Sequence, residues 1–152
     1  MRPTPEHVRD RALELIADDV RGARVLDLFA GTGALGLEAL SRGARSVDFV
    51  ENGTAALHAL KANVAALRAS RSTRIFKKDV VPWVDALPAG AYDVAFVDAP
   101  YGSRKLDRVL ARWHAVPFAG VLVIEHASDH DIGSGGKRHD FEGPTRVTIL
   151  RA

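Results

Sequence analysis

The chain has 152 residues, the length of one ordinary domain, and its 47% apolar and 26% charged residues exclude disordered and fibrous classes. It contains no cysteine, which excludes disulfides, thiolate metal sites and thiol nucleophiles. The 21 Lys and Arg against 19 Asp and Glu leave a net charge of +2, which permits a polyanionic partner without requiring one.

The predicted elements follow in order. Val8, Ala12, Leu15 and Ile16 form an apolar stripe at helical spacing, so Glu6 to Val20 reads as a helix, with Thr4 as N-cap and Pro5 as its first residue. Then come a strand over Arg24 to Phe29, a helix over Ala34 to Arg42 stopped by Gly43, a strand over Ser46 to Glu51, a helix over Thr54 to Ala69 and a strand over Thr73 to Phe76. The second half reads as a short helix over Val81 to Leu87, a strand over Tyr92 to Asp98, a helix over Lys105 to Trp113 and a strand over Val121 to Glu125. After the Gly-Ser-Gly-Gly of residues 133 to 136, Lys137 to Phe141 and Thr145 to Leu150 flank Glu142-Gly143-Pro144 as an antiparallel hairpin. Apolar strands separated by crossover helices imply an α/β fold: a Rossmann-like, doubly wound, mostly parallel sheet with helices on both faces, ending in the hairpin. No linker divides the chain, so residues 1–152 are expected to be one domain. The longest apolar run, Ala115 to Ile124, is ten residues and holds Pro117 and Gly120, far short of the roughly 20 that a span requires. A cytoplasmic monomer without membrane or metal is the expectation.

Gly31, Gly33 and Gly36 make a G-x-G-x-x-G at the junction of a strand and a helix, where glycines let the backbone approach a ligand and the helix N-terminus offers free N–H groups. Glu51 follows twenty residues after Gly31, the distance at which a carboxylate meets the ribose hydroxyls of an adenosine ligand. Asp27, inside the first strand, favours a cationic ligand end such as the amino group of S-adenosylmethionine over the pyrophosphate of a nicotinamide dinucleotide; the alternative is an aspartate that caps loop N–H groups. Asp79 is either an adenine-side contact, through its side chain or the Val80 backbone, or a solvated turn residue.

Asp98-Ala99-Pro100-Tyr101 follows the strand that starts at Tyr92, at the edge where open α/β sheets bind ligands. Pro100 forces Ala99 into an extended conformation, so the Asp98 carboxylate and the Ala99 carbonyl can accept from one amino group, and Tyr101 can stack on a planar base. A nucleobase amine is a poor nucleophile because its lone pair is delocalised; two aimed acceptors would hold it in line with a methyl donor. The alternative is an Asp-x-Pro turn.

Together Asp27 to Gly36, Glu51 and Asp98 to Tyr101 resemble a class I S-adenosylmethionine-dependent methyltransferase. More narrowly, Arg2-Pro3-Thr4 with Glu6, Val8 and Arg9, the run from Leu28 to Ala44 and the ending Thr145-Arg146-Val147 resemble the RsmD family, which methylates guanine N2 in bacterial 16S rRNA. The resemblance implies S-adenosyl-L-methionine as cofactor, contacted by Asp27, Phe29, Gly31, Gly33, Glu51, Asn52, Asp79, Val80 and Asp98. Asp98 to Tyr101 would then hold the target base, and ribosomal RNA or a small-subunit particle would be the partner. Two departures stand out: the family carries a proline where this chain has Ala99, and a short basic hairpin precedes its Arg-Pro-Thr, where this chain begins. Rival readings are a cofactor-binding RNA module without turnover, a methyltransferase of DNA or a protein amine, and a nicotinamide dehydrogenase.

Arg104, Lys105, Arg108 and Arg112 follow the Asp-Ala-Pro-Tyr segment and are candidate phosphate contacts; the alternative is a solvated helix face. Arg68, Arg71, Arg74, Lys77 and Lys78 also read as a solvated helix face. His126 and His130 share an i, i+4 spacing but lie after a strand, so a loop is expected there and not a metal site.

Overall fold

The computed structural model describes residues 5–100, 103–133, 136–140 and 145–152. Thr4, Tyr101 and the hairpin turn at 141–144 lie outside them. Where one opening helix is expected, there are two: α1 (Glu6–Leu15) and α2 (Ala17–Val20), separated at Ile16, whose φ of −118° and ψ of 23° leave the helical region. Ile16 and Val20 both enter the core, Leu13 is fully buried beside them, and Leu15 packs against that core partly buried. Pro5 is the N-cap, one position earlier than its expected role.

The chain continues through β1 (Arg24–Leu28), α3 (Ala34–Ser41), β2 (Ser46–Val50), α4 (Thr54–Ala66), β3 (Thr73–Phe76), α5 (Val80–Asp85) and β4 (Tyr92–Val97). It ends with α6 (Lys105–Ala115), β5 (Ala119–Ala127), β6 (Lys137–Asp140) and β7 (Thr145–Arg151). β5 is longer than its apolar run because pairing with β7 carries it from Val121 to Ala127, through Glu125 and His126. α4 stops short of Ala69, capped by Leu67 and followed by Arg68 at a φ of 53°.

The described strands form one sheet in the order β3-β2-β1-β4-β5-β7-β6, parallel from β3 to β5 and antiparallel where β7 joins β5 and β6. This is the α/β fold predicted. One face carries Val25, Val47, Phe49, Val94 and Phe96 against α1 to α4; the other carries Leu26, Leu28, Ala95 and Val97 against α5 and α6. Alternation of side chains along each strand produces the two cores. Among the described residues no helix is long and apolar enough to cross a membrane.

Gly36 sets how closely α3 approaches the sheet. A Cβ there would lie 2.6 Å from the Phe49 ring and 2.7 Å from Val47 Cγ1, both in fully buried side chains without room to retreat. Gly36→Ala is therefore expected to destabilise the fold by about 1–3 kcal/mol, measured as a lower urea midpoint at unchanged m-value. An unchanged midpoint would show that α3 can shift away from β2.

Candidate active site

In this strand order the direction of winding reverses between β1 and β4, and the crevice beyond the carboxyl ends of such a pair is where ligands of open α/β sheets bind. Leu28 is in register with both Val50 and Val97. The residues that follow, Phe29, Glu51 and Asp98, therefore leave the sheet at one level on three adjacent strands.

The loop after β1 is built from left-handed backbone. Phe29, Gly31 and Gly33 have φ of 56°, 59° and 84°, and α3 begins immediately after Gly33. The positive φ at Phe29 is costly for a side-chain-bearing residue. It is retained because the Ala30 N–H donates to Val50 O at 3.2 Å and the Phe29 ring packs on the α5–α6 core.

Glu51 is 8% exposed, and backbone N–H groups occupy both its oxygens. Oε1 accepts from Gly31 at 2.8 Å, while Oε2 accepts from Asn52 at 3.1 Å and from Gly53 at 2.8 Å. It thus ties the glycine loop to the loop after β2 and, with three of the about four lone-pair sites of an ionised carboxylate occupied, retains acceptor capacity on Oε1. Asn52 Nδ2 donates to Asp79 Oδ1, joining the loops after β2 and β3. Asp79 is the N-cap residue of α5 but makes no side-chain bond to that helix, and Val80 beside it is buried.

Asp27 is 2% exposed, and its Oδ2 accepts from the Gly36 N–H at 3.0 Å. The structure therefore realises the N–H-capping role considered as its alternative, within a site that also concentrates negative charge. Burial, opposed by the Gly36 hydrogen bond and reinforced by the nearby charges of Asp98 and Glu51, pushes its carboxyl up to about 8. Asp98 is half-buried, Ala99 packs in the α5–α6 core and Pro100 is exposed.

The candidate phosphate contacts separate. Arg104, Lys105 and Arg108 are exposed at the start of α6, whereas Arg112 donates from Nη2 to Leu87 O at 2.9 Å and braces α6 against the end of α5. Its guanidinium is turned to the protein. His126 and His130 also part: His126 Nε2 is 2.8 Å from Thr148 Oγ1, and His130 Nε2 is 2.8 Å from Asp107 Oδ1. Among the described residues no three acid or imidazole groups are placed to hold a metal.

Sequence reasoning passed over Asn63, whose Nδ2 donates to Thr32 O at 2.9 Å and fixes the glycine loop from α4. An asparagine in an otherwise Ala-rich helix was the available signal. It also passed over Asp48, a buried acid in the apolar run of β2, which accepts from Arg74 and Tyr92.

Among solved structures, a protein of Escherichia coli described as a candidate methyltransferase, yhhF, superposes with a TM-score of 0.84 over 99% of this chain and 87% of its own, at 26% identity. The fold and the crevice are those of a Rossmann-like methyltransferase. A family model described as "Conserved hypothetical protein 95" matches residues 1–139. YlbH of Bacillus subtilis, named as a candidate rRNA methyltransferase, is 33% identical over 133 residues, 82% of this chain and 71% of that protein. Ribosomal RNA small subunit methyltransferase D of Escherichia coli is 34% identical over 110 residues, 72% of this chain and 54% of that protein, so the chain spans about half the length of that relative. The chain belongs to the RsmD-like family of methyltransferases.

Proposed function

We propose that this protein transfers a methyl group from S-adenosylmethionine to the exocyclic N2 amine of a guanine in small-subunit ribosomal RNA. The observation that carries the reading is the meeting of Asp27, Glu51 and Asp98 beside the left-handed glycine loop at the switch point of the sheet. The names of the relatives, which specify ribosomal RNA, support the substrate class.

The residues fit the cofactor on the chemistry of their donors and acceptors. The raised carboxyl of Asp27 is opposed by one backbone N–H and pushed further by two neighbouring acids, the imbalance that a cationic ligand end relieves. Glu51 is positioned for ribose hydroxyls, Gly31 and Gly33 for close backbone approach, and Asn52, Asp79 and Val80 for the adenine side. When bound, the cofactor supplies an electrophilic methyl group on a sulfonium. Asp98 and the carbonyl of Ala99 accept the two amine hydrogens and hold the nitrogen lone pair toward that methyl. As the C–N bond formed and the S–CH3 bond broke, leaving a neutral thioether, the nitrogen would become positive and the Asp98 carboxylate would stabilise it until its proton passed to solvent. Tyr101 supplies a stacking face for the base.

Calorimetry with S-adenosylmethionine and NAD, together with labelled methyl transfer to 16S rRNA, tests the reading. The sulfonium ligand should bind and NAD should not. Glu51→Ala should weaken binding between about tenfold and a hundredfold, the worth of one hydrogen bond to a charged group. Label should appear in 16S rRNA and not in unrelated DNA. Binding of NAD alone, or equal labelling of DNA, would overturn it.

A further inference from the structure

We infer that the opposite, amino-terminal edge of the sheet is a second docking site for the phosphate backbone of the same RNA; this rests on the RNA reading above for its partner. There, four arginines, Arg24, Arg45, Arg71 and Arg74, surround a hollow of about 380 Å³. They come from distant parts of the chain. Arg24 opens β1, Arg45 precedes β2, Arg71 lies in the 3₁₀ turn Ser70–Ser72 and Arg74 is in β3. Parallel pairing of Arg24 with Ser46 and of Asp48 with Arg74 brings them to one edge.

Two of the four are held in place from behind. Asp93 accepts from the Arg24 backbone N–H at 2.8 Å and from its guanidinium at 3.2 and 3.3 Å, and Arg24 together with Arg45 holds the Asp93 carboxyl below the usual carboxylate range. Buried Asp48 accepts from Arg74 Nε at 2.9 Å, from its Nη2 at 2.6 Å and from the Tyr92 hydroxyl at 2.6 Å. The Arg74 side chain is nevertheless 71% exposed. Each guanidinium has five donors, so donors remain to face outward after a carboxylate is satisfied. Arg45 and Arg71 form no ion pair among the described residues. Four guanidinium groups against the two carboxylates of Asp48 and Asp93 leave a surplus of two positive charges at the hollow.

Planar, pre-oriented guanidinium groups suit phosphate oxygens, and their spread around a hollow of this size suits successive phosphates of a backbone better than one small anion. β1 has five residues, so this edge lies about 16 Å from the methyl-transfer crevice at 3.3 Å per residue. A structured RNA can reach both edges. Such a site also supplies what Arg112 does not, since only Arg104, Lys105 and Arg108 of the α6 group are exposed.

The test is the salt dependence of 16S rRNA binding, naked and in assembled particles, for the unaltered protein and for Arg45→Ala/Arg71→Ala. The variant should lower the slope of log K against log salt by roughly 1.4 to 1.8, the release expected for two phosphates. Its affinity for S-adenosylmethionine and its turnover at saturating RNA should not change. An unchanged slope overturns the docking site even if methyl transfer is normal. A lowered slope in a protein that labels no RNA supports the docking site and removes only the activity reading. An equal loss of affinity for polyglutamate of matched charge would assign the edge to acidic protein segments and overturn the RNA assignment.

Discussion

Asp98→Ala is expected to reduce methyl transfer by about a hundredfold to a thousandfold, the cost of removing one preorganised polar group aimed at developing charge. Cofactor affinity should change far less, because Asp27, Glu51 and the glycine loop remain in place. The loss should fall on turnover at saturating RNA, since in the proposed reaction Asp98 would act on the amine as it becomes positive and not on the remote contacts that set RNA affinity. A second readout separates this role from a folding defect. Asp98 is one of the charges that raise the Asp27 carboxyl, so its removal should move the Asp27 titration toward the ordinary carboxylate range. Ala99→Pro gives the loop the proline that the family resemblance implies. Ala99 already precedes Pro100 and is restricted to extended backbone, so activity should rise modestly if loop stiffness contributes. Single-turnover rates with labelled cofactor measure both variants. Unchanged rates in both would remove Asp98 and Ala99 from the chemistry.

What the sequence made legible was whatever depends on local pattern. Alternation of apolar strands and helical stripes specifies the layered sheet, and the spacing of Gly31, Gly33, Gly36 and Glu51 specifies the crevice. Effects that depend on tertiary pairing were not legible. The apolar stripe of residues 6 to 20 runs through Ile16 without a breaker, so the turn between α1 and α2 follows from packing alone. Arg104, Lys105, Arg108 and Arg112 look like one basic surface, yet Arg112 borders the stripe of Leu106, Val109, Leu110 and Trp113 and finds Leu87 across the helix pair. The basic stretch from Arg68 to Lys78 reads as one solvated face around the predicted strand over Thr73 to Phe76, whereas it runs from beyond the end of α4 through a 3₁₀ turn and β3. Only the parallel register reveals that Arg71 and Arg74 meet Arg24 and Arg45. In the same way, spacing pointed to Glu51 as a ribose partner, but its hold on Gly31, Asn52 and Gly53 becomes visible only once two loops are folded together.

Asp27 should make both stability and cofactor binding depend on pH, in opposite directions. Its carboxyl titrates near 8 in the folded protein, whereas an unfolded aspartate titrates near about 4. Between those values the folded state holds a proton that the unfolded state has lost, so this group's contribution to stability is fully present below about pH 4 and declines as pH rises through 8. Asp27→Asn keeps an acceptor for the Gly36 N–H and removes the titration, so the cofactor-free variant should lose less stability than the unaltered protein between about pH 5 and 7. Binding runs the other way. A cationic ligand requires the ionised carboxylate, and over that range the free protein must release a proton to provide it. Affinity for S-adenosylmethionine should therefore rise by about tenfold per pH unit. Calorimetry in two buffers of different ionisation heat should register close to one proton released per cofactor bound. Asp27→Asn should bind more weakly and release none. A variant that retained the full proton release would place the titrating group elsewhere, and one that bound the cofactor as tightly as the unaltered protein would show that Asp27 serves α3 alone.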